Sequence, residues 1–91
     1  MESITVTRDG RMSHDGRKDD EPFSNYLYAV FNGDQRIAEI THTYRGDELS
    51  MRLVGGEWVD ADEIIIGGGR ADKPLFLTRA GLCLLERLRA A

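Results

Sequence analysis

The sequence predicts an α+β fold: an antiparallel β-sheet meander of four to five strands with one C-terminal α-helix packed on it. Three observations predict it. The segments Tyr26 to Phe31, Arg36 to Tyr44 and Leu49 to Leu53 alternate apolar and polar residues, as strands do. Turn-forming residues separate them, Asn32-Gly33-Asp34-Gln35 first and Arg45-Gly46-Asp47-Glu48 second. Beyond Thr78, Gly81, Leu84, Leu85 and Leu88 recur at helical spacing.

Taken in order, Ile4-Thr5-Val6-Thr7 has the β-branched density of a short edge strand, followed by the turn signal Asp9-Gly10. Residues 8–22 carry glycines, charges of both signs and Met12 as almost their only apolar side chain, so they read as a mobile loop. A regular hairpin at Gly33-Asp34 sets Leu27, Ala29 and Phe31 beside Ala38, Ile40 and His42 on the inner face. The next turn pairs Tyr44 with Leu49, His42 with Met51 and Ile40 with Leu53. Tyr26, Tyr28, Glu39, Thr41, Thr43, Ser50 and Arg52 then face outward. Gly55-Gly56 reads as a hairpin turn that brings Trp58 opposite Leu53 to cap the core. Glu63-Ile64-Ile65-Ile66 resumes the strand pattern, and 67–74 is a flexible connection. Thr78 is the helix N-cap, and Arg87 and Arg89 in the last turn suit the negative end of the helix dipole.

The bulk numbers bound the function. Ninety-one residues make a single domain, 1–91, with material for one core. No apolar run reaches the roughly 20 residues that cross a bilayer, so no membrane span is expected. The start of the chain lacks a basic and apolar leader, and the single Cys83 can form no internal disulfide, which points to a cytoplasmic home. The net charge of -4 is unevenly spread: residues 1–63 hold 7 basic and 14 acidic groups, residues 64–91 hold 5 and 2. Most of the surface should therefore repel nucleic acid.

Candidate sites follow from the same pattern. His42 lies on the inner face with no carboxylate or nucleophile near it in sequence register, so a structural role outweighs catalysis. His14 falls in the loop, and Cys83 on the helix side away from the leucines. One cysteine and two histidines without close spacing make no zinc site. Asp60, Asp62 and Glu63 are rich in oxygen but lack the glycine and distal glutamate of a cation loop, and they read as part of an acidic rim with Asp47, Glu48 and Glu57. Gly67-Gly68-Gly69-Arg70 follows an apolar run without the lysine and hydroxyl ending of a phosphate loop. No cofactor is expected.

Leu77-Thr78-Arg79-Ala80-Gly81-Leu82-Cys83-Leu84-Leu85 resembles the Leu-Thr-x-x-Gly-x-x-Leu-Leu joint by which winged-helix regulators of the MarR and PadR families leave the wing and enter a helix. The likeness covers nine residues and implies a strand end, a threonine cap and a close-packed glycine. Residues 23–66 read as strands with no recognition helix, so the function of those families is not carried over.

The leading expectation is a non-enzymatic binding protein, a stand-alone inhibitor or adaptor. It would use Tyr26, Tyr28, Arg52, Asp60, Asp62 and Glu63 to occlude a protein partner with a basic surface. By size and charge alone it is similar to small acidic inhibitors of bacterial or phage origin, anti-CRISPR proteins among them. Two alternatives stand beside it: a nucleic-acid-associated regulator using Arg70, Lys73, Arg79, Arg87 and Arg89, and a small enzyme or ligand carrier using His42 with Tyr44. Exposed sheet edges also permit a homodimer.

Overall fold

In the computed structural model, residues 3–12, 18–19, 24–43, 48–61, 66–68 and 74–91 are described. The strands are β1 (Ile4–Met12), β2 (Lys18–Asp19), β3 (Asn25–Asn32), β4 (Gln35–His42), β5 (Leu49–Leu53), β6 (Val59–Ala61), β7 (Ile66–Gly67) and β8 (Phe76–Leu77). Among the described residues one helix, α1 (Arg79–Ala90), follows β8. The first six strands form an antiparallel sheet in the order β2-β1-β3-β4-β5-β6, and β7 pairs with β8. The α+β architecture with a C-terminal helix is thus the one the sequence predicts.

Two β-bulges decide which side chains meet. Val30 pairs with Ala38 but Phe31 pairs with Arg36, which leaves Ile37 with no residue opposite it. Side chains alternate across a strand, so this one extra residue changes the parity of the whole β3–β4 pairing. The sequence register placed Leu27, Ala29 and Phe31 beside Ala38, Ile40 and His42. The observed partners of Ala38, Ile40 and His42 are instead Val30, Tyr28 and Tyr26. Ile37 packs against the core and its carbonyl accepts a hydrogen bond from the Val54 amide at 3.1 Å. The β4–β5 register also differs, with His42 opposite Leu49 and Ile40 opposite Met51. That shift is by two residues, which preserves parity, so Met51 still points inward.

The second bulge lies in β1, where Arg8 faces Tyr28 and Arg11 faces Tyr26. Three steps along β1 match two along β3, and Gly10 takes up the bend at φ 83°. Strand β1 is therefore longer than the Ile4–Thr7 edge strand expected from the sequence. It runs to Met12 between β2 and β3, and 18–19 pairs with it, inside the stretch 8–22 read as a loop. Residues 13–17 and 20–23 lie outside the described residues, as does 69–73 of the connection 67–74.

The core forms on the face covered by α1. Val6, Tyr28, Val30, Ala38, Ile40, Leu49 and Met51 meet Leu77 and Leu85, with Leu84 and Leu88 packed alongside. The Thr78 side chain caps the helix by accepting from the Gly81 amide at 3.2 Å, satisfying one of the donors a helix start leaves open. On the opposite face Leu27 and Ala29 are each 1% exposed and Met12 is buried too, so apolar residues of β3 are covered on both sides of the sheet.

Candidate functional site

The structure separates the side chains that the sequence placed on one outward surface. Tyr28 is 6% exposed within the core, and half-buried Tyr26 packs against it. Both lie on the helix-facing side, which corrects the outward facing expected of them; the bulge at Ile37 is the cause. Arg52 does point to the other face. Asp60 is exposed on β6, while Asp62, Glu63, His14, Tyr44, Arg70 and Lys73 lie outside the described residues.

Arg52 belongs to a chain of ion pairs that crosses the second face. Arg36 bonds Asp9 Oδ2 through Nη1 at 2.8 Å, and its other terminal nitrogen bonds Glu39 Oε2 at 2.5 Å. Arg52 meets Glu39 Oε1 through both Nε and Nη2, each at 2.8 Å. Its guanidinium also lies 4.5 Å from the centre of the Trp58 ring. Trp58 is therefore not the core cap expected from a Leu53 pairing. It covers Arg52 on the face away from the helix.

Burial by itself pushes the Glu39 carboxyl up, but hydrogen bonds and charge from Arg36 and Arg52 outweigh it and hold the group below its ordinary value. For Arg36 burial acts downward, and its bonds to Glu39 and Asp9 together with their charge raise it overall. Both side chains therefore stay ionised near neutral pH. The arrangement is preorganised: each guanidinium is held in place by a carboxylate before any ligand arrives.

A groove of about 230 Å³ opens at the β5–β6 end of the sheet, lined by Glu48, Leu49, Ser50, Asp60 and Ala61. Glu48 and Asp60 are exposed, and Ser50 Oγ donates to Asp60 Oδ1 at 3.5 Å. The charged side chains of its lining are both acidic, while Leu49 is a core residue with Ala61 packed beside it, on the sheet face opposite Ser50 and Asp60. Of the acidic rim expected from the sequence, Glu48 and Asp60 line this groove, and the pairing of β5 with β6 brings Ser50 opposite Asp60.

A second cluster escaped the sequence reading. The Arg8 guanidinium lies 5.6 Å from the Tyr26 ring centre and 5.9 Å from that of Tyr28. Arg11 lies 4.7 Å from Tyr26 and donates through Nη1 to the Ser24 carbonyl at 3.1 Å. The His42 ring is 6.1 Å from the Tyr26 ring. Asp9-Gly10 was the available signal, because a glycine inside an alternating pattern marks a bulge as well as a turn. Among the described residues, His42 has no hydrogen bond to a carboxylate or nucleophile, and no three His, Cys, Asp or Glu side chains gather as metal ligands. No helix of the described residues is long and apolar enough to cross a membrane.

Comparison with protein-family models, with curated proteins and with solved structures finds no match to this chain.

Proposed function

We propose that this chain is a small binding protein that seats its acidic β5–β6 groove on a basic surface of a partner protein and blocks that surface by occupying it. The observation that carries this reading is the groove of Glu48, Leu49, Ser50, Asp60 and Ala61, whose charged side chains, Glu48 and Asp60, are both acidic and exposed. The cationic head of a lysine or arginine would meet two exposed carboxylates there. The acidic excess of residues 1–63 would add long-range attraction and speed the encounter.

The test has two stages. Affinity capture from the native host lysate identifies the partner, and stopped-flow association then follows wild type and Asp60→Lys across a salt series. The reading expects association that slows as salt rises, and at least tenfold weaker binding of Asp60→Lys. Salt-independent association, or unchanged affinity of the reversed variant, would remove the groove from the function.

A further inference from the structure

We infer that the partner is held at the free edge of β6 as an added antiparallel strand, with a lysine or arginine facing Asp60. This rests on the reading of the β5–β6 end as the contact surface, and adds how the partner's backbone is gripped there.

The hydrogen bonds fix which groups the edge offers. In an antiparallel pair, directly opposed residues alternate between those that exchange both backbone bonds and those that exchange none. The Val54 amide donates to the Ile37 carbonyl and the Thr43 amide to the Glu48 carbonyl, each at 3.1 Å. These two bonds continue the β4–β5 register at either end, so the alternation between them makes Glu39 with Arg52 and Thr41 with Ser50 the bonded pairs. Ser50 and Arg52 therefore turn their backbone groups to β4, and Leu49 and Met51 turn theirs to β6. The residues opposite, Ala61 and Val59, bond back to β5 through their own N–H and C=O. Asp60 between them aims both its backbone groups away from β5. The edge is open there: β6 is last in the strand order, and among the described residues no backbone bond reaches the outer side of Asp60. A backbone donor and acceptor on one exposed residue are a template for a further strand.

The side chains choose the occupant. Asp60 lies on the face away from the helix, beside Ser50, and Glu48 of the groove and Glu57 before the strand are exposed as well. A residue opposite Asp60 on an added strand points to the same face, where a cationic head would meet that carboxylate. Its two neighbours point to the other face, alongside half-buried Val59 and Ala61, so apolar side chains fit there. The segment that fits is thus apolar, basic, apolar. A second copy of this chain would bring the same acidic edge against it, and like charges across a strand pair are destabilising.

The test is an NMR titration with the peptide acetyl-Ser-Val-Lys-Val-Ser-amide, followed on the amide protons of Asp60 and its neighbours. Three further peptides decide the mode: one with glutamate in place of lysine, one N-methylated at the lysine, and one N-methylated at the valine after it. On an added antiparallel strand the lysine N–H points to the Asp60 carbonyl and the valine N–H points away. Expected are a saturable downfield shift of the Asp60 amide, binding roughly tenfold weaker with the lysine nitrogen methylated, and binding within about threefold of the parent with the valine nitrogen methylated. Asp60→Pro removes a donor that bonds nothing within the sheet, so it should fold and lose the peptide; Asp60→Asn, which keeps the donor, should bind more weakly with the same methylation pattern. Equal binding of the two methylated peptides, or the reverse order, would overturn strand addition, and a preference for lysine over glutamate would then leave the acidic groove standing. Binding without that preference would overturn both. An Asp60 shift that grows with protein concentration alone would give the edge to a second copy and overturn the basic partner.

Discussion

Arg36 and Glu39 stand three residues apart on one strand and yet on one face of the sheet, with their charged ends 2.5 Å apart. A regular strand would send them to opposite sides. The unpaired Ile37 between them restores the match, and Glu39 thereby reaches Arg36 on its own strand and Arg52 on the next.

Glu39 should therefore be the most sensitive charged position in the described sheet. Glu39→Gln leaves two partly buried guanidiniums facing a neutral amide, and a loss of about 2 kcal/mol in urea unfolding is expected. The pH dependence has a definite sign. A carboxyl whose folded pKa is depressed contributes stability above its ordinary value of 4.5, and that contribution fades as pH falls from there through the folded value. The gap in stability between wild type and Glu39→Gln should accordingly be widest at neutral pH and narrow in acid. A gap that stays constant to pH 3 would show that the proton on Glu39 is not what the arginines exclude.

Deleting Ile37 should be tolerated, although the residue lies within a central strand. Without it Phe31 still faces Arg36 and Val30 still faces Ala38, so both faces keep their side chains and only the bulge is lost. A cost of about 1 to 3 kcal/mol is expected, from the lost packing of Ile37 and its bond to the Val54 amide. Deleting Ala29 offers the contrast, because it flips one half of β3 against both neighbours. Circular dichroism melts should show a cooperative transition for the first deletion and none for the second.

Two adjacent glycines of the β7–β8 hairpin should respond differently to alanine. Gly68 has φ 81°, and a methyl group there would run into the carbonyl oxygen of Pro74, which is backbone and cannot swing aside. At Gly67 the methyl would meet the Phe76 ring, a side chain 54% exposed and free to rotate away. Gly68→Ala should lower the melting temperature several degrees more than Gly67→Ala, by roughly 2 kcal/mol of stability against under 1. Equal effects would contradict the close backbone approach.

Much of this molecule could be read from local pattern. The strand cores of β3, β4 and β5, the Thr78 cap and the leucine stripe of α1 follow from alternation, turn residues and helical spacing, which act over a few neighbours. Of the expected acidic rim, Glu48 and Asp60 line one groove, while Asp47, Asp62 and Glu63 lie outside the described residues. The faces could not be read in this way. Whether Tyr28 or Leu27 meets Ile40 depends on a single unpaired residue, and a bulge at Ile37 or in β1 is chosen by the fit of distant strands and the helix rather than by its own sequence.

By itself, then, the sequence determined the class of fold, the succession of β3, β4, β5 and α1, and the uneven charge along the chain, because these depend on composition and short-range periodicity. Only the tertiary structure decided that Tyr26 and Tyr28 turn inward beneath Arg8 and Arg11, and that Trp58 stacks on Arg52 across from the helix. The physical reason is parity: in a sheet one extra residue exchanges inside for outside, and the energy that selects it is that of the assembled core.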